Sequence, residues 1–202
     1  ASSDADFRTL TMGGAPDWGA GCAFPDRGVI VIKTPAMLPD PLSTEDVVVH
    51  EIGHVVSRRA MGEIRAPRWF DEGIAMLLAG EWRLPRSPRT AGAGSSGRLL
   101  PLSELRASFP YRSDEAMLAY VESYYAVRFL MERAEIASPG ALIAAIRQAG
   151  SFEAGVMSLY GASVEQLEKD VIDSFGSRFG WGFFLTRWNI LFLLMALLVF
   201  LA

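Results

Sequence analysis

Residues 47–56 read VVVHEIGHVV and contain the chain's only two histidines, His50 and His54, with Glu51 between them. On an α-helix, residues i and i+4 lie on one face, so both imidazoles could reach a single tetrahedral metal ion. Glu51 is offset by about 100° around the same helix, which places its carboxylate beside such an ion rather than on it. The spacing therefore predicts a zinc ion held by two histidines, with Glu51 as the base that takes a proton from a zinc-activated water. The alternative is a solvated helix face that carries two incidental histidines.

The segments on either side of this motif predict the helix that would carry it. Ser43 and Asp46 have the spacing of a capping box, and Gly62 is a natural stop after Met61. The arc opposite the histidines is apolar and consists of Val48, Val49, Ile52, Val55 and Val56. We therefore predict a helix from about Ser43 to Met61 that is apolar on one side and turns its histidines elsewhere.

A catalytic zinc ion needs a third protein ligand and an open position. A second helix is predicted from Pro67, which suits a first helical position. It carries Glu72, 18 positions after His54, which leaves room for a turn and an antiparallel return. Glu63 and Asp71 are the competing acids. Glu63 is too near in sequence for a return helix, and Asp71 points about 100° away from Glu72.

The remaining sequence up to residue 178 predicts an α+β domain. Two short strands, 22–24 and 29–32, flank a turn at 25–28 that contains Pro and Gly. A stretch rich in Arg, Pro, Gly and Ser at 83–100 predicts a flexible surface loop. Further helices are predicted at about 102–108, 114–134, 138–149, 151–159 and 163–177. The domain thus combines a small sheet with a helical C-terminal part.

Residues 180–202 differ from the rest of the chain. No polar side chain occurs from Ile190 to Ala202, and aromatic residues precede this run, as in an interfacial belt at a membrane. We predict a transmembrane anchor here, although the uninterrupted run is shorter than the ~20 residues that a span needs. A buried core helix is the alternative. The chain begins without Met and ends inside the apolar run, so we expect a fragment truncated at both termini.

The charge, the cysteine count and the residues after the HExxH segment argue against several other classes of function. The net charge of −4 gives no reason to expect a nucleic-acid partner. A single cysteine, Cys22, rules out an internal disulfide and a thiolate zinc site. The metzincin pattern would need Gly at position 57 and His at position 60, where this chain has Ser57 and Ala60.

The HExxH segment, followed on a second helix by Asp71-Glu72-Gly73-Ile74-Ala75, resembles the gluzincin peptidases, which include thermolysin and aminopeptidase N. It is most similar to the bacterial peptidase MA-like domain family, over most of residues 17 to 175. The resemblance implies a zincin-like fold, Zn²⁺ as the cofactor and Glu72 as the third ligand beside His50 and His54. Only the zinc motif is highly specific.

A second part of the resemblance lies at residues 120–130. They are similar to the helix of the aminopeptidase N family that carries its catalytic tyrosine, with Tyr120 at that position. The resemblance implies that the Tyr120 hydroxyl stabilises an oxyanion, with Tyr124 and Tyr125 as the other candidates. A core aromatic in a buried helix is the alternative.

One departure from that family limits what can be carried over. Its aminopeptidases have a GAMEN segment, whose glutamate holds the substrate's amino terminus, whereas residues 19–24 read GAGCAF here. Aminopeptidase specificity is therefore not implied. The resemblance does imply that residues 21–24 form a strand that pairs with an extended peptide.

The sequence as a whole predicts a membrane-anchored zinc peptidase with a peptide or protein substrate and an extracytoplasmic catalytic domain. The second hypothesis is a catalytically silent zincin-fold module for binding or assembly at the membrane. An intramembrane protease is disfavoured, because Arg58 and Arg59 follow the zinc motif directly.

Overall fold

A computed structural model describes residues 1–16, 19–38, 42–80, 99–110 and 112–185, without the side chains of 113–114 and 175–185. The described part is an α+β arrangement of one small sheet and seven helices, with a 3-10 turn at Pro35–Met37. The elements are α1 (Asp4–Leu10), β1 (Gly21–Phe24), β2 (Val29–Ile32), α2 (Thr44–Met61), α3 (Arg68–Ala79), α4 (Ser113–Arg133), α5 (Pro139–Ala149), α6 (Phe152–Tyr160) and α7 (Val164–Leu185).

The sheet is the predicted hairpin. β1 and β2 pair antiparallel, with Gly21 opposite Ile32 and Phe24 opposite Val29. The backbone N–H of Lys33 continues the ladder by donating to the carbonyl of Ala20. In this register the N–H of Ala23 points away from β2, because hydrogen-bonded pairs alternate along an antiparallel ladder. The Ala23 N–H at the outer edge of β1 is therefore not used by β2 and can serve another group.

Helix α2 begins and ends as predicted. The Ser43 side chain accepts from the N–H of Asp46, whose carboxylate accepts from the N–H of Ser43, and Gly62 ends the helix with φ of +67°. The apolar arc is not the buried face, however. Val49, Ile52 and Val56 are 37%, 44% and 50% exposed, because the two strands and α3 cover other sides of the helix.

Two glycines allow α2, α3 and α4 to pack closely. A Cβ added to Gly53 on α2 would lie 3.0 Å from the Cα of Ala75 on α3. A Cβ added to Gly73 on α3 would lie 2.6 Å from Cγ2 of Val127 and closer still to the carbonyl oxygen of Ser123, both on α4. Any larger residue at these positions would push the helices apart. The glycines therefore set the distance between the helices that carry the candidate site.

The core surrounds α3. Trp69 and Phe70 are fully buried, and both rings stack edge to face with Phe152 of α6, at centroid distances of 5.9 Å and 5.0 Å. Burial of such side chains stabilises the fold by ~1.5–3 kcal/mol each. A buried polar link joins this core to α7, since Nε1 of Trp69 donates to the carboxylate of Glu168 at 3.0 Å. α3 is thus packed against α6 and hydrogen-bonded to α7.

Residues 102–107 form a series of turns, so the helix predicted at 102–108 was wrong. The segment runs beside the start of α3, where Pro67 is the N-cap residue rather than the first helical residue and offers no side-chain acceptor. The carbonyls of Arg106 and Leu105 instead accept from the N–H groups of Arg68 and Trp69, at 2.8 Å and 3.1 Å. Within the segment, the N–H groups of Glu104 and Leu105 donate to the carbonyls of Pro101 and Leu102, three residues back, so it forms turns rather than an α-helix.

The chain termini also differ from prediction. The sequence analysis missed α1, although Ser3 caps it by accepting from the N–H of Asp6. At the other end, α7 continues to Leu185, past the predicted end at 177. Most of the predicted loop at 83–100, and residues 186–202 of the predicted anchor, lie outside the described residues. Within the described residues, none of the helices has the length and apolar character needed to span a membrane.

Candidate metal centre

The two histidines of α2 face one another one turn apart. The Nε2 atoms of His50 and His54 lie 3.1 Å apart, and both side chains are largely buried. They share a face because four residues make slightly more than one helical turn. This distance fits either a hydrogen bond from the N–H of one imidazole to the lone pair of the other or a cation bound by both lone pairs.

Helix α3 brings Glu72 to the same point. Its Oε2 atom lies 3.4 Å from Nε2 of His50 and 3.2 Å from Nε2 of His54. The Glu72 side chain is only 1% exposed. The close crossing at Gly53, between the two histidines in sequence, allows this approach. The predicted return helix therefore places Glu72 opposite both histidines.

These three side chains suit a metal ion. Their ligand atoms all lie within 4.8 Å of one another, and among the described residues this is the only such cluster of His, Cys, Asp and Glu. Both carboxylate oxygens of Glu72 are buried; Oε1 is paired with Arg68, whereas Oε2 has only the two imidazole nitrogens beside it and no hydrogen bond of good geometry. A buried acceptor without a hydrogen bond costs ~1–3 kcal/mol, and more when it is charged. A cation bound by all three groups removes that cost, and two imidazoles with one carboxylate are a donor set of catalytic zinc.

The electrostatic surroundings keep Glu72 ionised. Burial opposes ionisation, but the electrostatic attraction of His54 and Arg68 and the contacts with both imidazoles outweigh it. The pKa of Glu72 therefore lies well below its usual range. A carboxylate that is already deprotonated can bind a cation without first releasing a proton.

The competing acids lie elsewhere. Glu63 follows the end of α2 and is exposed, and Asp71 is not a member of the three-residue cluster. Burial raises the pKa of Asp71 to about 6, against the lowering influence of His54. Asp71 is thus a neighbour of the centre that faces another direction, as the 100° offset predicts.

The side chain of Glu51 extends from α2 to the outer edge of β1. It is 7% exposed, and the N–H of Ala23 donates to its carboxylate. A Cβ on Gly21 would lie 2.6 Å from Oε1 of Glu51, so this glycine makes the space that the carboxylate occupies. Burial raises the pKa of Glu51, and the lowering effects of the histidines and of Ala23 are smaller. The result is a carboxylate with increased basicity beside the candidate metal position.

Of the three candidate tyrosines, Tyr120 lies nearest the centre. Its ring packs edge to face against His50, at a centroid distance of 6.4 Å, and against Phe109 at 5.0 Å. Tyr125 instead shares a 2.8 Å hydrogen bond with Ser174 of α7, and Tyr124 interacts with Arg128. The structure therefore brings Tyr120 to the site and directs the other two away from it.

Arg68 was missed by the sequence analysis. Its Nη2 atom lies 2.6 Å from Oε1 of Glu72, and its side chain is 52% exposed. The only signal in the sequence is the spacing of four residues on α3, which is common on helices and does not identify a site by itself.

Comparison with known proteins agrees with this geometry. The family model of the Peptidase MA superfamily matches residues 9–175, which is most of the chain. Neither the curated proteins nor the solved structures compared with the chain include a significant match. The match covers the hairpin, both site helices and the helical C-terminal part, in agreement with the resemblance found in the sequence. The chain therefore belongs to the Peptidase MA superfamily.

Proposed function

We propose that the chain is a zinc-dependent peptidase that hydrolyses peptide bonds. The observation that supports it is the convergence of His50, His54 and Glu72 on one point, with the buried carboxylate of Glu51 on the same helix. A purely structural zinc site would close its fourth position with another protein ligand. Among the described residues the cluster holds three ligands, which leaves one position for water or substrate.

The chain's own residues would divide the reaction between them. Zinc, when bound, would polarise the peptide carbonyl and lower the pKa of water to about 7. Glu51 would accept the proton of the attacking water and pass it to the leaving amine. Burial raises the pKa of Glu51 in the metal-free protein, so its carboxylate takes up a proton more readily than an exposed glutamate would.

Tyr120 is proposed as the hydroxyl donor that stabilises the oxyanion. Two features support this role, namely its ring contact with His50 and its electrostatic interaction with Arg68. A preorganised donor at this point would stabilise the negative charge that develops on the carbonyl oxygen. Its effect can be compared with that of Glu51 in one series of variants.

A digest of a mixed peptide library tests the proposal. The purified protein should contain about one zinc per chain, cleave peptides, lose cleavage on treatment with a chelator and regain it when zinc is restored. These results are expected because zinc would supply the Lewis acid on which hydrolysis depends. Zinc binding without cleavage of any peptide would favour the silent binding module, and folded protein that binds no zinc would reject both the site and the activity.

We also propose that residues 180–202 anchor the protein in a membrane, with the peptidase domain on the extracytoplasmic side. The support is the run without polar side chains from 190 to 202 and the aromatic residues before it. The full chain should remain with membranes through alkaline carbonate washing and be released by detergent. Protease added to intact cells should degrade the domain. Release of the chain by carbonate alone would contradict the membrane anchor. Protection of the domain from the added protease would place it on the cytoplasmic side instead.

A further inference from the structure

The two oxygens of the Glu72 carboxylate face different partners. Oε2 lies within 3.4 Å of both imidazole nitrogens, whereas Oε1 forms a 2.6 Å ion pair with the Arg68 guanidinium. Arg68 is the first residue of α3, and its own N–H is held by the carbonyl of Arg106. The backbone of Arg68 is thus held in place, and its guanidinium reaches one turn along the helix to a single carboxylate oxygen of Glu72.

Helix stability does not explain this ion pair. A cation in the first turn of a helix opposes the helix dipole, with a penalty of ~0.3–1 kcal/mol. An acid placed four residues after a base is also the less favourable order for a helical pair. Arg68 is half exposed and so would be well hydrated without Glu72, whereas Glu72 is buried. The group that depends on the contact is therefore the carboxylate.

We infer that Arg68 is a positioning residue that holds Glu72 as a one-oxygen metal ligand, an inference that rests on the proposed zinc site. With Oε1 held by the guanidinium, only Oε2 is directed to the metal. A carboxylate free to rotate could bring both oxygens to the ion and occupy the position that water and substrate need. In other metal sites, residues that contact a ligand rather than the metal orient that ligand, and their loss typically lowers metal affinity ~10–100-fold.

Arg68→Met tests this role through metal binding rather than activity. Zinc affinity, measured by competition with a chromophoric chelator, should fall ~10–100-fold relative to the wild type. The cobalt(II) form should show weaker visible bands, because those bands lose intensity as the coordination number rises. Arg68→Lys, which keeps the charge but not the planar fork, should give an intermediate affinity.

Arg128→Met is the matched control. Arg128 forms a similar exposed ion pair four residues along α4, with Glu132 at 3.0 Å, but away from the cluster, so its loss should leave both readouts unchanged. Circular dichroism and thermal melting would establish that each variant is folded. Wild-type zinc affinity and cobalt spectrum in folded Arg68→Met would overturn the inference while leaving the zinc site intact. Absence of zinc from the wild type would overturn both.

Discussion

Glu51→Gln should remain folded and bind about one zinc per chain, yet hydrolyse peptides ~10²–10⁴-fold more slowly than the wild type. The amide has nearly the shape of the carboxylate, so it can occupy the space beside Gly21. It cannot accept a proton, however, and in the proposed reaction Glu51 supplies that function. Steady-state kinetics on a peptide cleaved by the wild type, together with zinc content, measure the two properties separately.

Tyr120→Phe belongs in the same kinetic series. It removes one hydroxyl donor but leaves the zinc ligands, the base and the ring contact with His50 in place. The loss in kcat should therefore be smaller than for Glu51→Gln, at ~10²–10³-fold if the hydroxyl acts as a full oxyanion donor. Activity equal to the wild type would assign Tyr120 to packing alone.

Glu63→Gln is the control for the Glu51 variant. It makes the same chemical change on an exposed side chain just after α2, and it should retain full activity. Because the control also removes one negative charge, a non-specific charge effect would lower the rate of both variants. Full activity in zinc-loaded Glu51→Gln would assign the proton transfer to another group.

Local signals explain the elements that the sequence predicted well. The capping box at Ser43 and Asp46 and the stop at Gly62 act within one helical turn, so they determine the bounds of α2 whatever packs against it. The hairpin similarly depends on the turn between two apolar segments. Signals of this kind can be read from neighbouring residues without knowledge of tertiary contacts.

Tertiary demands explain the errors. Residues 102–108 have helical apolar spacing, yet they form turns whose Leu102 and Leu105 side chains are buried and whose last carbonyls accept from the start of α3, about 35 residues earlier. The apolar arc of α2 was identified correctly, yet periodicity alone does not say which side of a helix its neighbours will cover. In both cases a partner distant in sequence decided the outcome.

Some residues of the candidate site could be predicted from local spacing, whereas others could be recognised only from their tertiary contacts. His50, Glu51 and His54 follow from spacing on one helix, and Glu72 from the pattern on the next. The contribution of Gly21, Gly53 and Gly73 became visible only in the structure, because a glycine that permits close approach is recognised by what a Cβ would meet. Arg68 was missed for a related reason, since its importance lies in which oxygen of Glu72 it contacts.

Glu72→Ala should abolish stoichiometric zinc binding. We expect zinc affinity to fall by more than the ~10–100-fold typical of outer-shell substitutions, because one of three protein ligands is removed outright. The fold should tolerate the change. Alanine removes a buried charge rather than creating one, and Arg68, already 52% exposed, can be hydrated when its partner is lost. Competition with a chromophoric chelator gives the affinity, and circular dichroism establishes that the variant is folded.

Asp71→Asn separates Glu72 from the acid beside it. Asp71 is the preceding residue on α3 and its pKa is raised to about 6 by burial, but it lies outside the cluster formed by the two histidines and Glu72. Zinc affinity in Asp71→Asn should therefore stay within a few-fold of the wild type. If Asp71→Asn lost zinc while Glu72→Ala retained it, the ligand assignment would pass to Asp71, and α3 would have to rotate by about 100° when metal binds. Loss confined to Glu72→Ala would instead show that the helix already presents the third ligand in the orientation found here.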